Sequence, residues 1–256
     1  MQNKIPHFPK TYPARALVSI VLSGSENEST LALASRQGQL CFTLTLIMFF
    51  LGIFGGIREI VKELPIYRHE RFINLEILPY LGSKALPLAV VGAIQALELL
   101  VVIRLGTDMR VHDPLGIVNQ FLLLLCTTIA AMLLGLAISA AVDSADKAVM
   151  LMILVIIPQL LFGNAFIELK GLGKLLGQLF ILAYWCHDGL KSLLPDLLLE
   201  EKNPATGGLV LFGHHGWVLD FFVVLMFSAL YSGLAIFFLR RKDGPYGKPY
   251  HIPWVR

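Results

Sequence analysis

The sequence predicts an all-α, polytopic integral membrane protein. Of its 256 residues, 56% are hydrophobic and 15% are charged, so the chain is more apolar than an ordinary soluble domain. The apolar residues also form long blocks, several of which reach the roughly 20 residues that a helix needs to cross the hydrocarbon core. Helix is expected in each block, because inside a membrane every backbone N–H and C=O group must be bonded within the segment.

Five blocks have a length close to that of a membrane span. They cover residues 40–57, 85–103, 115–142, 148–167 and 217–239, and none contains a run of Gly or Pro long enough to abolish a helix. We therefore expect about five full transmembrane helices.

Two other apolar stretches are too short to span a bilayer. Residues 14–23 follow basic residues, as a signal peptide would, but the apolar core is short and no clear cleavage site follows it. A short or truncated first helix is the favoured interpretation. Residues 175–186 would cover only about half of a bilayer at 1.5 Å per residue. This length favours an external re-entrant segment.

The basic residues predict the orientation of the helices, since short loops rich in Lys and Arg stay in the cytosol. One cluster lies between Arg58 and Lys84, and a second begins at Arg240. Both are expected on the cytosolic side of the plasma (inner) membrane, with the C-terminus in the cytosol. A full crossing at residues 175–186 would export the basic tail, which again favours re-entry there.

The connection after the first long block combines charge, an aromatic ring and a helix breaker. Residues 63–71 read Glu-Leu-Pro-Ile-Tyr-Arg-His-Glu-Arg. Pro65 is expected to interrupt any helix that continues from Arg58, so the following turn forms a separate element. This composition suits contact with a soluble partner, and a solvated topogenic loop is the alternative.

Several function classes lack support in the sequence. It contains no Gly-rich phosphate loop ending in Gly-Lys-Ser/Thr, no His-Glu-x-x-His metal pair and no Gly-x-Ser-x-Gly elbow. We therefore expect no catalytic site in this chain. His187, His214 and His215 are scattered in loops, where histidines are usually solvated, so no metal site is predicted. The net charge of +3 lies mainly in the topogenic clusters and gives no sign of nucleic-acid binding.

Polar residues inside the spans have two interpretations. Glu98 shares a helix face with Gln95. This pair either bonds to a neighbouring helix, such as one carrying Asn119 or Gln120, or contributes to a substrate path. Structural bonding is the favoured alternative, because Glu98 lies near the outer end of its span.

Two further groups keep both interpretations open. Pro158 is expected to bend the block 148–167, whose outer half also carries Gln159, Gly163 and Asn164. A bent, partly polar helix suits the lining of a path, but Gly163 also permits close helix packing. The run Phe-Phe-Leu-Gly-Ile-Phe-Gly-Gly at residues 49–56 forms either an apolar binding wall or a packing surface.

The order of these elements, with four local strings, resembles the membrane domain of type 2 ABC transporters, specifically their G-type (white/pleiotropic drug resistance) branch. The strings are residues 55–63, 65–75 with 78–84, 157–167 and 184–190. The resemblance implies an N-terminal segment at 1–39 with a short first helix, an ABC-2-type transmembrane domain at 40–242 and a cytosolic tail at 243–256.

The resemblance also implies how such a chain works. The domain is expected to form a homo- or heterodimer in the lipid bilayer, and a cytosolic ABC ATP-binding domain or subunit is expected to drive it. ATP and Mg²⁺ would bind to that partner, with no cofactor in this chain. The ATPase that this branch usually carries ahead of the membrane domain does not occur in the sequence. It is therefore expected as a separate subunit, or the chain is a truncated member.

Two sets of site residues follow from the resemblance. The region that couples to the ATPase corresponds to Glu63, Tyr67, Arg68, Glu70 and Arg71. The substrate path, lined by the second and fifth helices of the family, corresponds to Phe50, Phe54, Pro158, Phe162 and Asn164. The expected function is the permease component of an ATP-driven transporter that exports amphipathic or lipid-like molecules. The alternative is a membrane-embedded enzyme or a non-transporting scaffold that retains the fold.

Overall fold

The computed structural model describes residues 30–72, 75–107, 114–163, 169, 171–200, 209, 211 and 215–242. All regular elements within these ranges are helical, which confirms the predicted fold class. The predicted first helix at 14–23 and the tail at 243–256 lie outside the described residues.

The described residues form nine α-helices, which are numbered in chain order. They are α1 (Thr30–Gly56), α2 (Leu64–Phe72), α3 (Ile77–Gly106), α4 (Pro114–Ala141), α5 (Ala145–Leu161), α6 (Leu172–Phe180), α7 (Leu182–Lys191), α8 (Asp196–Leu199) and α9 (Trp217–Lys242), with a 3₁₀ turn at Val61–Glu63 before α2.

Four helical segments in the described ranges are long and apolar enough to cross a membrane. They begin at Thr30, Ile77, Leu115 and Trp217. The remaining predicted span, at 148–167, corresponds to α5, which has 17 residues and reaches about 26 Å at 1.5 Å per residue, slightly less than the hydrocarbon core. It ends at Leu161, and residues 164–167 of the predicted block lie outside the described part of the chain.

The observed helices differ from the predicted blocks mainly at their ends. Helix α1 begins at Thr30 rather than at residue 40, and α3 begins at Ile77 rather than at residue 85. A search for apolar stretches in the sequence detects only the part of a helix that lies inside the bilayer. The helix itself continues into polar residues near the headgroups, because its backbone hydrogen bonds continue there. The predicted re-entrant stretch consists of two short helices, α6 and α7, which are separated by the extended residue Ile181.

Helix α4 forms the centre of the bundle and packs most extensively against α1 and α9. Its contact with α1 is unusually close, because both helices place glycines there. A Cβ atom at Gly52 would lie 2.4 Å from the Thr128 carbonyl oxygen, and one at Gly56 would lie 2.3 Å from that of Met132. Gly52 and Gly56 therefore let the two backbones approach.

The basic residues that follow α1 and those that end α9 lie on the same side of the bundle. Ser139, near the end of α4, accepts hydrogen bonds from the backbone N–H groups of Ile60 and Val61 at 3.1 and 2.9 Å. Lys242 at the end of α9 donates to the carbonyl oxygen of Val142. The two basic clusters seen in the sequence thus share one side of the molecule. Helix α7, in the stretch predicted to be re-entrant, packs at the opposite end, beside the start of α9.

Candidate functional site

The connection between α1 and α3 forms a compact element with one buried and one exposed face. Leu64 and Tyr67 of α2 are 4% and 1% exposed, and the rings of Tyr67 and Tyr80 lie 4.8 Å apart. The opposite face presents His69, Glu70 and the apolar side chain of Ile66, which is 58% exposed. Pro65 stands in the first turn of α2, where its missing N–H group costs no helical hydrogen bond.

The structure places the five predicted coupling residues in different environments. Tyr67 is buried, Glu63 forms an ion pair with Lys84, and Arg71 donates to the carbonyl oxygen of Leu75. Glu70 is exposed, and the side chain of Arg68 lies outside the described atoms. The first three therefore hold the element in place, while Glu70 is available for an external contact.

The run at residues 49–56 divides between two faces of α1. Phe49 is fully buried and, as described above, Gly52 and Gly56 pack on α4. Phe50 is half-buried and Phe54 is 57% exposed, with ring centroids 6.5 Å apart. Of the two interpretations of this run, packing holds for Gly52 and Gly56. The two phenylalanines predicted for the path lie away from this packed face, as does the exposed Leu51.

Helix α5 carries a stripe of exposed apolar side chains at helical spacing. Pro158 and Phe162 are half-buried near its end, and Asn164 lies outside the described residues. Gln159 is buried, and its Oε1 accepts the backbone N–H of Ala183 at 2.9 Å, so this side chain joins α5 to the start of α7. The exposed stripe consists of Met150, Ile153, Leu154, Ile157 and Leu161.

Within the described part of the chain, Gln95 and Glu98 of α3 do not form the predicted hydrogen bonds to Asn119 or Gln120. Gln120 on α4 accepts a hydrogen bond from the guanidinium group of Arg104 at 2.8 Å, and Glu98 is exposed on the surface of α3. An apolar cleft of about 380 Å³ lies between α3 and α4, with Leu100, Arg104 and Phe121 among its lining residues. This cleft is away from the residues of the predicted substrate path.

Helix α7 carries a buried polar cluster that the sequence analysis did not predict. Every residue of α7 is buried. Lys191 Nζ lies 2.8 Å from Asp188 Oδ1, with side-chain exposures of 2% and 1%. The second oxygen, Asp188 Oδ2, lies 2.7 Å from His215 Nδ1 and accepts the His215 backbone N–H at 2.9 Å. Asp220, in the first turn of α9, is also fully buried.

His187 is a neutral structural side chain beside this cluster. Burial lowers the pKa of its imidazole to about 3, and the nearby Lys191 ammonium acts in the same direction. The ring donates from Nδ1 to the Gly163 carbonyl oxygen at 2.9 Å and contacts the Phe42 ring edge-on at 5.4 Å. His187 thus fastens the end of α5 to α7. His214 lies outside the described residues.

A weak signal for this cluster was present in the sequence. Asp188 and Lys191 are three residues apart, which places them on the same face of a helix. Asp220 is an ionisable residue inside an apolar block, which is expensive in a membrane and therefore informative. The contact between Asp188 and His215 could not be read from the sequence, since it depends on how α7 packs against the start of α9.

The comparisons with known proteins agree with this architecture. The model of the ABC-2 type transporter family matches residues 15–192, which is well over half of the chain. A curated ABC transporter ATP-binding/permease protein of Mycobacterium tuberculosis (strain ATCC 25618 / H37Rv) is 23% identical over 214 residues. The aligned region covers 81% of this chain and 25% of the relative, so the chain spans about a quarter of that protein's length. The chain belongs to the ABC-2 type transporter family, and it is an integral membrane protein that forms the transmembrane permease component of an ABC transporter.

Proposed function

We propose that this permease exports amphipathic or lipid-like molecules and is driven by an ATP-binding domain or subunit that docks on α2. The proposal includes membership of the G-type branch, with ATP and Mg²⁺ bound by the partner. The relative from Mycobacterium tuberculosis is described as an ATP-binding/permease protein. This description supports the proposal that the permease works together with an ATP-binding domain or subunit.

The observation that carries the proposal is the exposed face of α2. Ile66 is an apolar side chain that is 58% exposed, and the exposed His69 and Glu70 follow three and four residues later on the same helix face. The face is backed by the buried Leu64 and Tyr67, so a force applied to it reaches the bundle rather than a loose loop. An apolar residue beside charged ones is typical of a protein interface.

The orientation follows from the positions of the basic residues. Lys62, Lys84 and Lys242 lie at the α2 end of the bundle, and positively charged short loops stay in the cytosol. We place this end in the cytosol of a plasma (inner) membrane, together with the C-terminus. The α7 end then faces outside.

The substrate path is placed between two copies, or two homologous chains, at the exposed faces of α1 and α5. Phe54 on α1 and the apolar stripe of α5 offer no polar group that would hold a hydrophilic substrate in the bilayer. Flat rings and branched side chains suit bulky apolar groups, which favours lipid-like molecules.

The docking role of α2 is tested with Ile66→Ala and Glu70→Ala in the purified transporter assembled with its ATP-binding partner. Both side chains are exposed, so membrane abundance should stay near that of the unchanged chain. Substrate-stimulated ATP hydrolysis should fall several-fold, since loss of an interface anchor costs about 1–2 kcal/mol or more. Glu76→Ala is the matched control, because Glu76 is also exposed and lies just before α3. Stimulation that falls equally in all three variants, or in none, would contradict the docking site.

The dimer interface is tested with single cysteines on α5. Ile153→Cys and Ile157→Cys lie on the exposed stripe, and Val90→Cys on α3 is a control of similar exposure. The native Cys41 and Cys186 are fully buried and are retained, whereas the half-buried Cys126 is replaced by alanine in all variants. Oxidation in membranes should yield a disulfide-linked dimer for the α5 variants and not for the α3 variant. Cross-linking of Val90→Cys alone would place the interface on α3 and remove the proposed path.

A further inference from the structure

We propose that Asp188, His215 and Asp220 form a binding site for a divalent cation of the zinc class, which ties the re-entrant helix α7 to the start of α9. One ligand atom from each residue lies within 4.8 Å of the others. The site is independent of the substrate path and of the ATPase contact, since it lies at the opposite end of the bundle from α2.

The geometry is close to that of a metal centre. Zinc binds carboxylate oxygen and imidazole nitrogen at about 2.0–2.2 Å, which separates neighbouring ligand atoms by about 3.3 Å in a tetrahedral site. Asp188 Oδ2 and His215 Nδ1 are 2.7 Å apart and joined by a hydrogen bond. Small side-chain movements would open this pair around an ion. The Nδ1 proton would move to Nε2, so that the imidazole stays neutral while Nδ1 donates its lone pair.

Asp220 supplies the second, independent observation. Its side chain is 0% exposed, and among the described residues neither carboxylate oxygen has a hydrogen-bond partner. It is directed at α7, because a Cβ atom added at Gly189 would lie 3.0 Å from Asp220 Cβ and 3.4 Å from its Oδ2. A buried carboxylate without any partner is costly. A cation held between Asp220 and Asp188 would satisfy it.

Lys191 orients the site and does not occupy it. Its ammonium is paired with Asp188 Oδ1, which leaves Oδ2 directed towards His215. Partners of this kind, in contact with a ligand and not with the metal, commonly fix ligand orientation. Lys191 balances one of the two carboxylates, so Asp220 is the negative charge that a cation would neutralise.

The surroundings allow an ion to enter from one side. Asp188 and Asp220 are buried, whereas the His215 side chain is 30% exposed and lies against Trp185, with ring centroids 5.3 Å apart and the planes tilted by 34°. Three protein ligands leave a fourth position for water on the His215 side. Bound in this way, the ion would hold the segment before α9 against α7.

The site is tested by zinc binding to the full chain, purified in detergent with a tag that contains no histidine. After chelation, titration with ZnCl₂ should show saturable uptake of about one ion per chain and should raise the thermal denaturation temperature. Cobalt substitution provides a measurement that needs no variant, since a nitrogen–oxygen site gives visible absorption of a tetrahedral or five-coordinate ion.

Three variants complete the test. His215→Ala removes a part-exposed ligand and should keep the fold, yet lower zinc affinity by at least about tenfold. Asp220→Asn should lose the zinc-dependent stabilisation. His69→Ala is the matched control, because His69 is an exposed histidine at the other end of the bundle, and it should bind as the unchanged chain does. Absence of saturable zinc and cobalt binding in the unchanged chain, or equal binding in His215→Ala, would overturn the proposal.

Discussion

Replacing Gly56 with alanine is expected to destabilise the protein by about 1–3 kcal/mol, although alanine is the better helix former. The added methyl group would lie 2.3 Å from the Met132 carbonyl oxygen and 2.9 Å from the Leu136 backbone nitrogen. Both neighbours are backbone atoms, so no side-chain rotation can make room. Helix α1 would have to move away from α4 along the largest contact in the bundle. Gly52→Ala should act in the same way, because its Cβ atom would lie 2.4 Å from the Thr128 carbonyl oxygen.

The neighbouring glycine provides a matched control. A Cβ atom at Gly55 would lie 3.6 Å from the nearest atom, a methyl group of Leu88, which is an ordinary van der Waals contact. Gly55→Ala should therefore leave stability unchanged or raise it by up to about 1 kcal/mol. The measurement is thermal denaturation of the detergent-purified chain, combined with its abundance in membranes. If Gly55→Ala and Gly56→Ala lose the same amount of stability, close contact with α4 is not the cause of the loss.

The glycine run illustrates what could be predicted from the sequence. Helix in this block was predictable, because an apolar segment of spanning length has no other stable conformation in a bilayer. The face that meets α4 was not, since Gly52, Gly55 and Gly56 look alike in the sequence. Only the position of α4 decides which of them are packed, and that position is a property of the whole bundle.

The candidate sites show the same limit. The sequence predicts a partner contact at the segment that contains Glu70, because charge and a proline are placed together between two spans, and the structure leaves Glu70 exposed there. The inward direction of Tyr67 was not predictable, since an aromatic residue on a short amphipathic helix can face either way. The coupling role of the five residues stays a prediction. Asp188 and Asp220 were missed because 31 intervening residues separate them, and only the packing of α7 beside α9 brings them together.

Replacing Lys191 with methionine is expected to cause one of the largest losses of stability in the described part of the chain. Removal of one partner from a buried ion pair typically costs about 3–5 kcal/mol, because the remaining charge loses its compensation. Lys191 and Asp188 are 2% and 1% exposed, with 2.8 Å between Nζ and Oδ1. Since a folded protein is typically stable by about 5–15 kcal/mol, membrane abundance should fall strongly, and the purified remainder should denature at a lower temperature.

Lys62→Met is the matched control for Lys191→Met. Lys62 and Glu59 also form an ion pair at i,i+3 spacing, with 2.6 Å between Nζ and Oε1, but their side chains are 48% and 24% exposed. A pair in this position contributes about 0–1 kcal/mol, so this variant should retain normal abundance. If the two methionine variants lose stability equally, burial is not what makes the Lys191 pair important.

The double variant Asp188→Asn with Lys191→Met distinguishes two causes of instability: the loss of a favourable contact, and the free-energy cost of a buried charge without a partner. If the charge left on Asp188 causes the damage, its removal should restore a large part of the stability lost in Lys191→Met, and the two substitutions should be strongly non-additive. Asp188 also accepts the backbone N–H of His215 through Oδ2, and an asparagine carbonyl oxygen can still accept this bond. The fold can therefore recover in the double variant while zinc binding, which needs the carboxylate, should not. Recovery of both properties together would show that Asp188 is not a metal ligand.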